Sequence, residues 1–400
     1  MPDTDLTDIR ELLTSAPLID GHNDLLWEAR EKAGYDFDRL DVAGPVPSLQ
    51  TDLPRLRLGG VGAQFWSVYV PSNLEGDRAV TMVLEQLDAW HALCARYSAD
   101  LAQAFTADDV DKAVADGRIA SLAGMEGGQS IGASLGALRM LYALGARYMT
   151  LTHNDNNAWA DSATDTAVHD GLSAFGEEVV REMNRLGMLV DLSHVAPATM
   201  HDALRVSSAP VIFSHSSARA LCDHPRNVPD DVLAKLPANG GVCMVTMVPG
   251  FVVQRIADHW KRLDVEEKRL SAELGADAAD EVKDRMKEWD AAESVGIEPA
   301  SVGDVADHIE HVRDVAGIEH VGFGGDYDGV PVTPAGLEDV STYPVLFAEL
   351  RSRGWSDDDL RACAGRNVLR VLRGAEDVAR DLQRRRSPSL ARIQDLDAPS

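Results

Sequence analysis

His22 and Asp24 lie one residue apart in Asp20-Gly21-His22-Asn23-Asp24, directly after the apolar run Ala16-Pro17-Leu18-Ile19. Side chains alternate along a strand, so the two point the same way off a strand end. An imidazole nitrogen and a carboxylate oxygen aimed at one point make half of a zinc site. The same residue types recur after later strand-like runs: Glu126 before Gly127-Gly128, His153 in Thr152-His153-Asn154-Asp155, His194 after Leu189–Ser193, His215 after Val211–Ser214, and Asp326 and Asp328 after Val321–Gly325. One such His is more often a hydrogen-bonded structural residue, and one such Asp or Glu is often a helix cap. Six strand ends carrying such groups on one rim are not explained that way.

Imidazoles and carboxylates without thiolates suit a catalytic zinc site rather than a closed structural one. The donors exceed what one metal needs. His22, Asp24, His194 and His215 supply four terminal ligands, two for each of two ions, and Glu126 can bridge through its two oxygens. Some barrel hydrolases bridge with a carboxylated lysine; here Lys32, Lys112, Lys235, Lys261, Lys268, Lys283 and Lys287 all lie away from strand ends. Two cations about 3.5–4 Å apart lower the pKa of a shared water and polarise a carbonyl.

The elements that must position these groups follow from the apolar pattern. Strands are expected at Leu18–Asp20, Gly62–Val70, Ile119–Met125, Tyr148–Thr152, Met188–Leu192, Pro210–Ser214, Gly241–Thr246 and His320–Gly325. Amphipathic helical stretches, such as Arg78–Tyr97, Leu135–Leu144, Ala174–Leu186, Ala198–Val206 and Val302–Val315, alternate with them. That order implies parallel strands with helical crossovers. Eight units in one domain-sized chain predict an α/β fold, a (β/α)₈ TIM barrel with its active site at the C-terminal strand ends. The chain reads as one domain over 1–400, with a core at about 17–375. A charged, Pro-free helical hairpin is inserted after strand seven at about 255–292, and a C-terminal tail occupies about 376–400.

Four hundred residues, 45% hydrophobic and 26% charged, are the composition of a globular protein with a large core. The net charge of −27 opposes binding to nucleic acid or anionic membranes. No apolar run approaches the roughly 20 residues needed to span a bilayer. The acidic N-terminus lacks the basic and apolar regions of a signal peptide. Cys94, Cys222, Cys243 and Cys363 are widely spaced, as buried thiols rather than a disulfide framework. A cytoplasmic location is therefore expected.

Seven segments together resemble the motifs of the renal (membrane) dipeptidase family, metallopeptidase family M19 of the amidohydrolase superfamily. They are Leu18-Ile-Asp-Gly-His-Asn-Asp24, Gly124-Met-Glu-Gly-Gly128, Leu151-Thr-His-Asn-Asp-Asn156, Val190-Asp-Leu-Ser-His-Val195, Val211-Ile-Phe-Ser-His-Ser216, Cys222-Asp-His-Pro-Arg-Asn227 and Gly324-Gly-Asp-Tyr-Asp-Gly329. The resemblance runs in order over most of the chain. It implies a barrel with two zinc ions, one held by His22, Asp24 and Glu126, the other by Glu126, His194 and His215. It further implies that His153 contacts the scissile carbonyl and that Arg226 binds the terminal carboxylate. Asp326 then passes a proton from the bridging water to the leaving amine.

Asp328 reads as structural, in an Asx-turn with Gly329, and Asp191 as a support behind a ligand histidine. Tyr69 is a candidate pocket wall. His91, His169, His201, His259, His308, His311 and His320 read as bystanders, and His224 as structural. The animal enzymes are secreted, lipid-anchored and disulfide-linked; without a signal peptide or a C-terminal hydrophobic tail, membrane attachment is not expected here. The expected function is a zinc dipeptidase whose metal-bridging hydroxide attacks dipeptides, L-Xaa-D-Xaa included. Hydrolysis of N-acyl-amino acids, lactones or cyclic amides on the same barrel is the alternative, and a non-catalytic peptide- or metal-binding barrel a third reading. The resemblance also suggests a homodimer.

Overall fold

The computed structural model describes residues 6–275 and 278–397. Among these residues nine strands form: β1 (Leu18–Asn23), β2 (Val61–Tyr69), β3 (Leu101–Gln103), β4 (Ile119–Glu126), β5 (Ala146–Thr150), β6 (Leu189–Asp191), β7 (Ile212–Phe213), β8 (Val242–Val245) and β9 (Val321–Phe323). All pairings are parallel, and eight strands close a barrel in the order β1-β2-β4-β5-β6-β7-β8-β9. The last seam is Asp20 against Phe323. The (β/α)₈ expectation therefore holds, with one addition. Strand β3 lies outside the barrel and pairs with the first half of β4, Leu101 to Ile119. Three residues, of which only Leu101 is buried, are too few to show a period.

The barrel strands are buried almost residue for residue, because helices cover their outer face. Alternate strand residues sort into two apolar clusters, as the pleat requires. Ile19, Phe65, Leu122, Tyr148, Ile212 and Met244 belong to one, and Leu18, Val68, Met125, Val190, Phe213 and Val245 to the other. The crossover helices carry their own stop signals. That at Ala174–Leu186 starts at Ser173, whose hydroxyl accepts from the Gly176 amide. It ends at Gly187 with φ +86°, a left-handed turn that favours glycine.

Two helices, Gln254–Leu274 and Ala279–Glu293, are inserted between β8 and β9. Ion pairs such as Arg269–Glu273 and Arg285–Glu281 follow helical spacing on their exposed faces. The tail begins later than the sequence suggested. One helix runs over Asn367–Arg385 and buries Val371, Leu372, Ala375 and Ala379, a spacing that continues past residue 375. The following segment runs back across the helix at Ala174–Leu186. Asp397 accepts hydrogen bonds from the Ser173 hydroxyl and the Phe175 amide. Residues 398–400 of the expected tail and 1–5 of the acidic N-terminus lie outside the described residues.

Candidate metal centre and active-site cavity

β1 runs on through His22 and Asn23, so the alternation carries directly to the site. Asn23 turns away and donates to the Thr51 hydroxyl at 2.7 Å. His22 and Asp24 turn inward, Nε2 to Oδ2 3.2 Å. Glu126 is the last residue of β4, and its two oxygens face different imidazoles. Oε2 lies 3.5 Å from His22 Nε2. Oε1 lies 3.1 Å from His194, 3.5 Å from His215 and 3.9 Å from His153, in each case to Nε2. His194 Nε2 and His215 Nε2 are themselves 3.0 Å apart. Asp326 Oδ1 reaches within 3.9 Å of His22 Nε2.

His194 and Asp326 sit at φ +69° and +61°. Few non-glycine residues adopt that region, and those that do collect at functional sites. At His194 the conformation is held by a hydrogen bond to its carbonyl from the Ala163 amide at 2.7 Å.

The electrostatics divide the cluster. Burial opposes a charge on His22, yet Tyr148, Glu126 and Asp24 outweigh it and hold its proton affinity well above that of a free imidazole. Burial, reinforced by Arg226, pushes His194 and His215 well below the usual range, so both are neutral. Burial raises Asp326 as well, with Asp24 and Glu126 adding to the effect. Against burial, His22, His194 and His153 hold Glu126 well below the carboxylate range. The carboxylates thus draw positive charge into the cluster while two of its imidazoles stay unprotonated.

These residues fit a pair of divalent cations. His22 Nε2 is buried, faces Asp24, Glu126 and Asp326, and has no hydrogen-bond partner. Among the described residues three overlapping triads bring their donor atoms within 4.8 Å of one another: His22–Glu126–His215, Glu126–His153–His194 and His22–Asp24–Asp326. Glu126 joins two of the three. By distance alone His153 and Asp326 also stand within the triads, beyond the five residues expected as ligands.

A cavity of about 700 Å³ opens over the cluster. Arg226, 3% exposed, forms part of its wall, and no carboxylate among the described residues pairs with it. Its Nε is unsatisfied, and its Nη atoms reach only Ser216 Oγ (3.4 Å) and the His215 carbonyl (3.3 Å). Burial lowers its pKa to about 10. An uncompensated buried guanidinium calls for an anionic partner.

Tyr69 ends β2 and stands edge-on to His153, ring centroids 4.9 Å apart. His224, expected to be structural, also lines the cavity; its ring lies 4.5 Å from that of Phe251, and its Nδ1 accepts from the Arg226 amide. Sequence reasoning missed Trp27, Glu28, Asn154, Asp155, Thr164, Phe251 and Val330, which also line the wall. They stand on loops, at a helix start or in the four-residue helix Pro249–Val252, where no period marks them, although Trp27 is within three residues of Asp24.

Asp328 does not form the expected turn with Gly329. Its Oδ1 accepts from the Gln50 amide at 2.6 Å and ties the β9 loop to the segment after β1. Asp191 supports His215 through an intermediary: Ser214 Oγ is 2.6 Å from Asp191 Oδ2 and 2.8 Å from His215 Nδ1. His91, His169, His201, His259, His308, His311 and His320 do not line the cavity.

The chain is similar to known proteins along most of its length. The family model described as membrane dipeptidase (peptidase family M19) matches residues 6–386. The dipeptidase verJ of Clonostachys rogersoniana is 42% identical over 388 residues, covering 94% of this chain and 89% of its own. The fold is shared with the probable dipeptidase PvdM of Pseudomonas aeruginosa, with a TM-score of 0.81, 22% identity, and 95% of this chain and 100% of that one covered. It is also shared with a Rhodobacter sphaeroides metallopeptidase liganded with a phosphinate mimic of L-Ala-D-Ala, with a TM-score of 0.72, 24% identity, and 90% and 99% covered. A match along nearly the whole chain, carried by a relative of this identity, means that the protein belongs to the membrane dipeptidase family, M19.

Proposed function

We propose that the protein is a binuclear zinc dipeptidase whose substrates include L-Xaa-D-Xaa dipeptides. The observation that carries this reading is Glu126, one carboxylate with an oxygen toward His22 and an oxygen toward His194 and His215. In this assignment His22, Asp24 and Glu126 hold one ion, and Glu126, His194 and His215 the other. Bound there, the pair supplies Lewis acidity toward a carbonyl and lowers the pKa of a water.

The chain's own residues do the rest. Arg226 anchors the terminal carboxylate through its guanidinium fork, which restricts the enzyme to short peptides. His153, kept neutral chiefly by burial, retains one N–H with which to stabilise the developing oxyanion. Asp326 takes a proton from the attacking water and delivers it to the departing nitrogen as the C–N bond breaks. The dipeptide mimic bound by the Rhodobacter relative supports an L,D substrate.

Screening L,L- and L,D-dipeptides with zinc-loaded protein, alongside metal analysis, tests the proposal. Two zinc ions per chain and release of free amino acids are the expected result. No turnover of any dipeptide by the loaded protein would overturn it.

We further place the protein in the cytoplasm, supported by four free, buried cysteines. Among the described residues no helix is long and apolar enough to cross a membrane. A homodimer is the assembly the family resemblance implies, and light scattering tests it.

A further inference from the structure

The ligand histidines differ in what holds the ring nitrogen that faces away from the cluster. For His22 that nitrogen is Nδ1, 2.9 Å from the hydroxyl of Tyr148. The same hydroxyl lies 3.2 Å from the Gly21 carbonyl, to which it donates. A carbonyl can only accept, and a phenol has one proton. With it committed to Gly21, the phenol oxygen accepts from His22 Nδ1–H.

The opposite arrangement puts the His22 proton on Nε2, the nitrogen that faces Asp24 Oδ2 at 3.2 Å and Glu126 Oε2 at 3.5 Å across the proposed metal position, and turns the phenol proton from the Gly21 carbonyl to Nδ1. The phenol cannot swing away. Its ring is fully buried, and it packs so closely over Gly124 that a Cβ there would lie 2.0 Å from Cζ.

We propose that Tyr148 is a positioning residue that keeps the proton of His22 on Nδ1 and thereby leaves Nε2 free to bind one divalent cation. The inference rests on the proposed assignment of His22 to one of two metal sites. His215 has a separate device, since Ser214 donates to Asp191 and accepts from His215 Nδ1. The two sites are therefore separately tunable.

The test is zinc binding by competition with a chelator, read as two stepwise affinities. Tyr148→Phe keeps the ring and removes the hydroxyl; one step should weaken about 10–100-fold while the other holds. Ser214→Ala should weaken the other step. Both variants weakening the same step, or neither changing, overturns the inference while the wild type still binds two ions. A wild type that binds no zinc overturns both this inference and the metal reading. Should Tyr148→Phe fail to fold, proton NMR of the zinc-loaded wild type decides: a His22 Nδ1–H protected from solvent exchange supports the proposal, and its absence overturns it.

Discussion

Gly329 lies where a methyl group would do measurable damage. A Cβ built on it would stand 2.4 Å from Asp24 Oδ2 and 2.5 Å from Asp326 Oδ1. Ordinary contact needs about 3.5 Å, so each carboxylate would have to retreat by roughly 1 Å. Neither has room to do so freely, since Asp24 is only 6% exposed and Asp326 is held on a left-handed backbone. Overpacking of this kind costs about 1–3 kcal/mol of stability. The functional cost is larger, because misplacing a reacting group by about 1 Å can cost on the order of 10²-fold in rate. Gly329→Ala is therefore expected to lower kcat/KM on L-Ala-D-Ala by about 10²-fold and to weaken zinc binding, with the melting temperature falling only a few degrees. The assay is release of free D-alanine at fixed zinc, paired with a melting curve. A variant with near-normal turnover and metal affinity would show that Asp24 and Asp326 are not confined as described, and the argument from Gly329 would fail.

Asp326→Asn should keep both zinc ions and lose turnover; a near-normal rate would remove Asp326 from proton transfer. Arg226→Met should raise KM for dipeptides about 10–100-fold, the loss of a charge-assisted pair worth about 1.5–3 kcal/mol. Because Arg226 is buried without an acid partner, the same variant should not lower the melting temperature of the free protein, and a large drop would contradict that account. His308 accepts from the Ala218 amide through Nδ1 and reaches the Val252 carbonyl through Nε2, so the fold requires its neutral form. Burial depresses its pKa to about 4. The unfolded chain therefore takes up a proton near pH 6.5 that the folded chain refuses until about 4. Its contribution is complete above pH 6.5 and falls away below, by about 3 kcal/mol in all. Metal-free His308→Gln should lose stability less steeply between pH 6.5 and 4 than the wild type in calorimetry, and equal slopes would refute the assignment.

The legible part of the site is the part that strand geometry reports. Asp20-Gly21-His22-Asn23-Asp24 could be read because period-two alternation is local and continues to the last residue of β1. Glu126, His153, His194, His215 and Asp326 could be read because each follows an apolar run, and a barrel collects strand ends on one rim. What hid from the sequence lacks a local period or depends on a distant partner. β3 is too short to alternate, and the helix through Arg385 continues an apolar face under an arginine-rich surface. His224 reaches the wall from a loop and Phe251 from the four-residue helix Pro249–Val252, and neither segment is long enough to show a period.

The amino-acid sequence by itself determined the barrel, the chemical types at its rim and the family to which the chain belongs, because each is written in contiguous patterns of a few residues. Only the tertiary structure decided that Glu126 turns one oxygen to each set of imidazoles, that Arg226 is buried without a counter-ion, and that Tyr148 stands behind His22. Those facts are distances between residues separated by tens to hundreds of positions, and no local pattern encodes a distance across the barrel.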